Sequence, residues 1–252
     1  MTDSVVFSSP VKPKRGLMHS LSNSDSFKKA FAWLLTSGQT MRWATEEVVL
    51  EDVLKGVTCQ SSVDIGCGGG HYLLGLLVPR SVYATGIDYD EGLVRMAARR
   101  ITRSNSSSRV SVMKGSVDGI PLASESIDLV LCTQVLEHVP DVTKGIGEIH
   151  RILRRGGKAV LAIPIQPDPY PNPGHVQVDL APAALDTLVT KAGFEIVDRR
   201  TCMFVITRAI FWLTASLRIP LPLVPVCRLE QATAGLVSWP RPYCYICVAI
   251  RK

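Results

Sequence analysis

The strongest constraint on this chain is an apolar stretch that runs straight into a cluster of glycines. Residues 63–70 read Val63-Asp64-Ile65-Gly66-Cys67-Gly68-Gly69-Gly70, and a helical pattern follows over 71–77. Glycines between a strand and a helix let the backbone turn tightly and let a ligand approach the main chain. Gly66 and Gly68 keep the spacing of a dinucleotide loop, but His71 stands where that loop needs its third glycine. A second element follows about 20 residues on, where Gly86-Ile87-Asp88 closes the next apolar stretch. A carboxylate at that place can accept hydrogen bonds from both hydroxyls of a ribose. Loop and acid together point to a nucleoside ligand. The competing role for Asp88 is to cap a helix that begins near Glu91.

The same alternation continues along the chain. Strand-like apolar segments lie at 62–65, 82–87, 110–113, 127–132, 159–163, 194–197 and 243–250. Helical patterns lie at 71–77, 91–101, 144–153 and 182–192, with Gly156-Gly157 and Gly193 expected to end the last two. Apolar strands separated by helices predict an α/β fold with a doubly wound, mostly parallel seven-stranded sheet, Rossmann-like in plan. Two helices, at 25–35 and 40–54, precede it. The 252 residues suit one such domain over 23–252. That domain would carry a helical lid over 23–57 and an apolar insertion over 201–240, with a flexible arm over 1–22.

Residues 63–70 resemble the first motif of class I S-adenosylmethionine-dependent methyltransferases. Four further stretches are similar to the small-molecule branch, which includes quinone, sterol and polysaccharide-cluster enzymes. They are Gly86-Ile87-Asp88, residues 115–122 (GSVDGIPL), 127–141 (IDLVLCTQVLEHVPD) and 148–157 (EIHRILRRGG). The resemblance implies S-adenosyl-L-methionine as cofactor, lying over Gly66, Cys67, Gly68 and Gly70. It implies Asp64 for the methionine ammonium, Asp88 for the ribose, Tyr89 against the adenine, Ser116 and Val117 at the adenine edge, and Gln134 at the methionine end. Ser116 stands where the family often has aspartate, and its hydroxyl accepts a hydrogen bond without charge.

Methyl transfer from a sulfonium is an in-line displacement on a group that the cofactor already carries. The protein must align donor and acceptor and exclude water. A base is needed only for a weakly acidic acceptor. Two histidines are candidates: His138, which the resemblance places near the cofactor, and His175, in a loop after the fifth strand. The alternative for each is a structural histidine held within its loop, and His19, His71 and His150 are read as structural or solvent-facing. The expected function is methyl transfer to a small-molecule or lipid-linked acceptor, on oxygen. Two alternatives stay open. A nicotinamide-dependent oxidoreductase is opposed by His71, and a non-catalytic S-adenosylmethionine-binding scaffold is opposed by the intact loop.

Residues 203–226 are strongly apolar. Arg208 and Arg218 break them into uncharged runs of about nine, short of the roughly 20 a membrane span needs. Pro220, Pro222 and Pro225 are expected to exclude a helix there. Three readings stay open: core or dimer contact, a roof over the acceptor pocket, or contact of Arg208, Arg218 and Arg228 with lipid phosphates. The net charge of +6 favours anionic surfaces. No basic tract interleaved with aromatics suggests nucleic acid. The seven cysteines are odd in number and mostly in apolar runs, which suggests reduced, buried thiols. Cys244 and Cys247 sit three apart in a strand and should face opposite ways, so no metal is expected. The first residues carry no apolar run after their basic positions, so no secretory signal is expected. The resulting expectation is a cytoplasmic monomer or homodimer, with peripheral contact to the inner face of a membrane left open.

Overall fold

The computed structural model describes residues 38–104, 106–165, 176, 180–202, 223–233 and 242–252. The expected arm, the helix over 25–35, His175 and the apolar residues 203–222 lie outside the described residues.

Helix α1 spans Gly38–Val53 and leads into β1, Cys59–Ile65. A π-helical turn, Leu73–Leu77, connects β1 to β2, Ser81–Asp88. Then follow α2 (Glu91–Arg103), β3 (Val110–Lys114) and β4 (Ile127–Thr133). A 3-10 turn (Leu136–His138) precedes α3 (Val142–Ile152), β5 (Leu153–Pro164), α4 (Pro182–Lys191) and β6 (Phe194–Cys202). The chain closes with α5 (Leu223–Thr233) and β7 (Cys244–Arg251).

The seven strands form one sheet in the order β3-β2-β1-β4-β5-β7-β6, and β7 runs antiparallel to both its neighbours. The expected doubly wound sheet is therefore the fold. The order reverses between β1 and β4, which opens a crevice at the carboxyl ends of those strands. Alternation along each strand feeds two core layers. Val130 and Cys247 point to one, while Leu129, Leu131 and Cys244 point to the other. Helix α3 buries Val142, Ile146, Ile149 and Ile152 in the first layer, at about 1.5–3 kcal/mol per side chain.

Two local expectations are corrected. Gly156-Gly157 does not end the helix before it: α3 stops at Ile152, and Leu153 is already extended. Gly156 (φ +77°) and Gly157 lie inside β5, alongside a shift in its register with β4 between Ile127 and Leu129. Pro225 does not exclude a helix either. It is the third residue of α5, in the first turn, where a backbone N–H has no intrahelical partner to lose. Asp90 accepts from Leu93 N–H at the start of α2, and Asp141 accepts from Lys144 N–H at the start of α3.

Candidate functional site

The glycine loop folds across the end of β2. Gly66 and Cys67 donate their N–H groups to the Ile87 carbonyl at 2.7 and 3.0 Å. Gly66 adopts φ +72°, and a Cβ there would stand 2.2 Å from Val135 Cγ2. Gly68 differs. It adopts φ +52°, nothing lies within 4 Å of its missing Cβ, and its N–H donates to Asp88 Oδ2 at 2.8 Å. The loop is clamped on its other side by Arg100, which donates to the Gly69 carbonyl at 2.9 Å. Gly66 therefore serves packing, and Gly68 leaves a surface open.

Asp88 is buried at the tip of β2, and its Oδ1 accepts from Asp90 N–H at 2.9 Å. The helix-capping alternative falls away, because Asp90 performs that role. Each Asp88 oxygen keeps a further lone pair for a ligand hydroxyl. Tyr89, next along, is 74% exposed. Gly115 N–H donates to the Asp88 carbonyl at 3.0 Å, which brings Ser116 to the same rim. Ser116 is half-buried, whereas the Val117 side chain belongs to the core, beneath Gly145.

Asp64 ends up under the loop, 2% exposed. Burial pushes its carboxyl up to about 8 and the Asp88 charge adds to the rise, while a hydrogen bond from the Leu73 backbone opposes it. At neutral pH this carboxyl holds a proton more often than not until a cation approaches. Burial also raises the Cys67 thiol, with Asp64 and Asp88 reinforcing it, so Cys67 is no thiolate nucleophile.

Across the crevice, Gln134 sits just past β4 at φ +56°, a left-handed conformation rare outside glycine. Its backbone N–H donates to the Ala162 carbonyl at 2.8 Å. Its Nε2 donates to Glu46 Oε1 at 2.9 Å and to Cys244 Sγ at 3.4 Å. A carboxylate only accepts, so Glu46 fixes which end of the amide faces it. The opposite end, Oε1, is buried with no hydrogen-bond partner among the described residues. Glu46 is fully buried and also accepts from the Tyr72 hydroxyl at 2.9 Å. Sequence reasoning missed Glu46 and Tyr72. One signal was available, since Glu46 lies three and four residues before Val49 and Leu50, on the apolar stripe of α1.

His138 lies in the 3-10 turn with Nε2 4.0 Å from Glu137 Oε1. The Glu137 carbonyl accepts from Val176 N–H at 2.9 Å, so the residue following His175 is tied to the turn that carries His138. His71 lies outside this group, 3.2 Å from Glu47 on α1, and His150 stacks edge-on against Phe194. Among the described residues no group of three or more His, Cys, Asp or Glu side chains could hold a metal ion. No helix of the described residues is long and apolar enough to cross a membrane. Cys244 and Cys247 lie in opposite core layers, as their spacing predicts.

Residues 63–161 match the family described as "Methyltransferase domain". Over 158 residues the chain is 31% identical to a Mycolicibacterium smegmatis protein named "Probable S-adenosylmethionine-dependent methyltransferase", an overlap of 60% of this chain and 58% of that one. It is 31% identical over 111 residues to a ubiquinone biosynthesis O-methyltransferase of Nitrosomonas europaea, covering 43% of this chain and 45% of that one. The chain thus spans three fifths or less of the length of these relatives. The crystal structure of an S-adenosylmethionine-dependent methyltransferase from Mesorhizobium loti shares the fold, with a TM-score of 0.60 and 19% identity over 84% of this chain and 100% of the other. The fold is that of Rossmann-like methyltransferases. Residues 63–161 thus match a methyltransferase domain, within a chain whose fold is shared with a solved methyltransferase.

Proposed function

We propose that this chain transfers a methyl group from S-adenosylmethionine to an oxygen of a small-molecule or lipid-linked acceptor. The observation that carries the reading is the convergence at one rim of the open face of Gly68, the spare lone pairs of Asp88 and the orphaned buried oxygen of Gln134. These groups fit the cofactor: hydroxyls for Asp88, an ammonium for Gln134 Oε1, and the exposed ring of Tyr89 for a purine face. When bound, S-adenosylmethionine supplies a methyl group on a positively charged sulfur. The chain does the rest. Asp88 orients the ribose end, while Gln134 and Asp64 hold the ammonium. Ser116 and the main chain of Val117 border the adenine. Helix α1 brings Glu46, which the Tyr72 hydroxyl holds, over the methionine end and keeps water out.

Acceptance on oxygen draws support from the ubiquinone biosynthesis O-methyltransferase among the relatives and from the placement of His138 in the 3-10 turn past β4. His138, beside the Glu137 carboxylate, takes the proton of the acceptor hydroxyl; His175 is the second candidate for that proton.

The deciding experiment is a thermal-shift panel with S-adenosylmethionine, S-adenosylhomocysteine, NAD and NADH. A ligand at 100 times its Kd stabilises by about 2.7 kcal/mol, a rise of several degrees at this size. The two sulfur nucleosides are expected to raise Tm and the two nicotinamide cofactors to leave it unchanged. A shift with NAD, or with none of the four, would overturn the reading. Loss of turnover in His138→Ala, with S-adenosylhomocysteine binding retained, then tests the base.

A further inference from the structure

A cavity of about 720 Å³ opens between the C-terminal half of α1 and α5. It shares no residue with the glycine-loop site. Its wall carries four cationic side chains, Lys55, Arg80, Arg200 and Arg228, against the two carboxylates Glu51 and Asp52. Asp52 lies 3.5 Å from Arg200, which also holds Asp198 at 2.8 Å. Arg200 is thereby occupied. No carboxylate among the described residues forms an ion pair with Lys55, Arg80 or Arg228.

Arg80 is fixed in place without being neutralised. Its Nε donates to the Leu54 carbonyl at 3.2 Å and its Nη1 to the Leu76 carbonyl at 2.8 Å. Backbone carbonyls orient a guanidinium and leave its full charge, and a fixed fork loses little further freedom when it binds an oxyanion. The opposite wall is anchored as well, because Gln231 on α5 donates to the Thr201 carbonyl at 2.9 Å. Gly56, also on the wall, has φ +72° and nothing within 4 Å of its missing Cβ, so space is left at that point.

We propose that this groove binds a phosphoryl group, as phosphate or pyrophosphate, through Arg80, Arg228 and Lys55. The cations come from three separate segments: the turn after α1, the residue before β2, and α5. A planar carboxylate meets one guanidinium fork. A tetrahedral phosphoryl group offers three or more oxygens and can meet cations from several directions. The net charge of +6 adds a general attraction for such a ligand. The inference stands on these cations and is independent of the methyl-transfer reading.

The test uses the full chain and sodium pyrophosphate as the probe, in low-salt calorimetric titrations with sodium chloride at matched ionic strength as the control. Saturable binding is expected, weakened at least tenfold in the double variant Lys55→Gln/Arg228→Gln. Both side chains are exposed, and circular dichroism checks the fold. Arg80→Lys, which keeps the charge and loses the fork, is expected to weaken binding as well. Co-sedimentation with phosphatidylcholine vesicles, with and without phosphatidic acid, separates the sources. Binding to the acidic vesicles that pyrophosphate competes away assigns the group to a lipid headgroup. Pyrophosphate binding without vesicle binding assigns it to a soluble phosphate ester. Absence of saturable binding to either, or equal binding by wild type and the double variant, overturns the proposal.

Discussion

Gly66 and Gly68 are two residues apart and chemically identical, yet their surroundings predict opposite phenotypes. In Gly66→Ala the new methyl would lie 2.2 Å from Val135 Cγ2 on a backbone at φ +72°. Strain and overpacking together should cost about 3 kcal/mol or more, seen as a large drop in Tm. Gly68→Ala pays only the left-handed strain, about 1–2 kcal/mol, because nothing crowds its Cβ. It should fold and lose S-adenosylhomocysteine affinity, since the methyl enters the open face. Equal stability losses in the two variants would contradict this division of labour. Asp64 yields a pH prediction. Its folded pKa lies near 8, above the unfolded value of about 3.9, so the native state binds the extra proton between those values. Its share of stability is therefore fully present below pH 4 and is lost as pH rises towards 8. Asp64→Asn should flatten that part of the stability curve. If the ammonium approaches Asp64, cofactor binding near pH 7 releases a proton. Calorimetry in buffers of different ionisation enthalpy would detect it, and Asp64→Asn would abolish it.

Helix α1 is held by more than apolar burial. Glu46 receives hydrogen bonds from the Tyr72 hydroxyl and the Gln134 amide, in a position with no access to water. Truncation in Glu46→Ala removes the charged acceptor of both hydrogen bonds, at about 1–3 kcal/mol each. The expected result is a clear loss of stability together with weaker S-adenosylhomocysteine binding, because the Gln134 amide is then free to turn its nitrogen towards the ammonium. Tyr72→Phe removes a donor and leaves the Gln134 contact, so it should lower Tm while largely sparing affinity. Similar affinity losses in the two variants would show that Glu46 acts on the helix alone. The neighbouring element boundaries show how local signals compete. Glycines at 156 and 157 look like a helix stop, but α3 already ends at Ile152, where the chain joins the sheet. Pro225 looks like a helix breaker, but falls in the first turn, where it breaks nothing.

At the level of the whole molecule, the sheet couples segments distant in sequence. Ligand occupancy should slow amide exchange together at 66–70, 88–90 and 134, because loop, strand tips and the turn past β4 meet at one rim. The amides of the buried β4 and β5 interiors, such as Val130 and Leu161, should already exchange at the slowest, global rate. Slowing confined to a single segment would speak against a shared site. The alternation of apolar strands and amphipathic helices determined the doubly wound sheet, since parallel strands need helical crossovers and both faces must be covered. The spacing of the glycine loop and Asp88, about 20 residues, determined that both lie at adjacent strand tips, the place proposed for the nucleoside. Tertiary structure alone decided the remainder. Only packing separates Gly66 from Gly68. Only the fold brings Glu46 and Gln134, 88 positions apart, to 2.9 Å. Only the docking of α5 against α1 sets Arg228 across from Lys55 and Arg80. Periodicity and motif spacing report a residue's own element, whereas a contact between remote elements depends on how those elements pack.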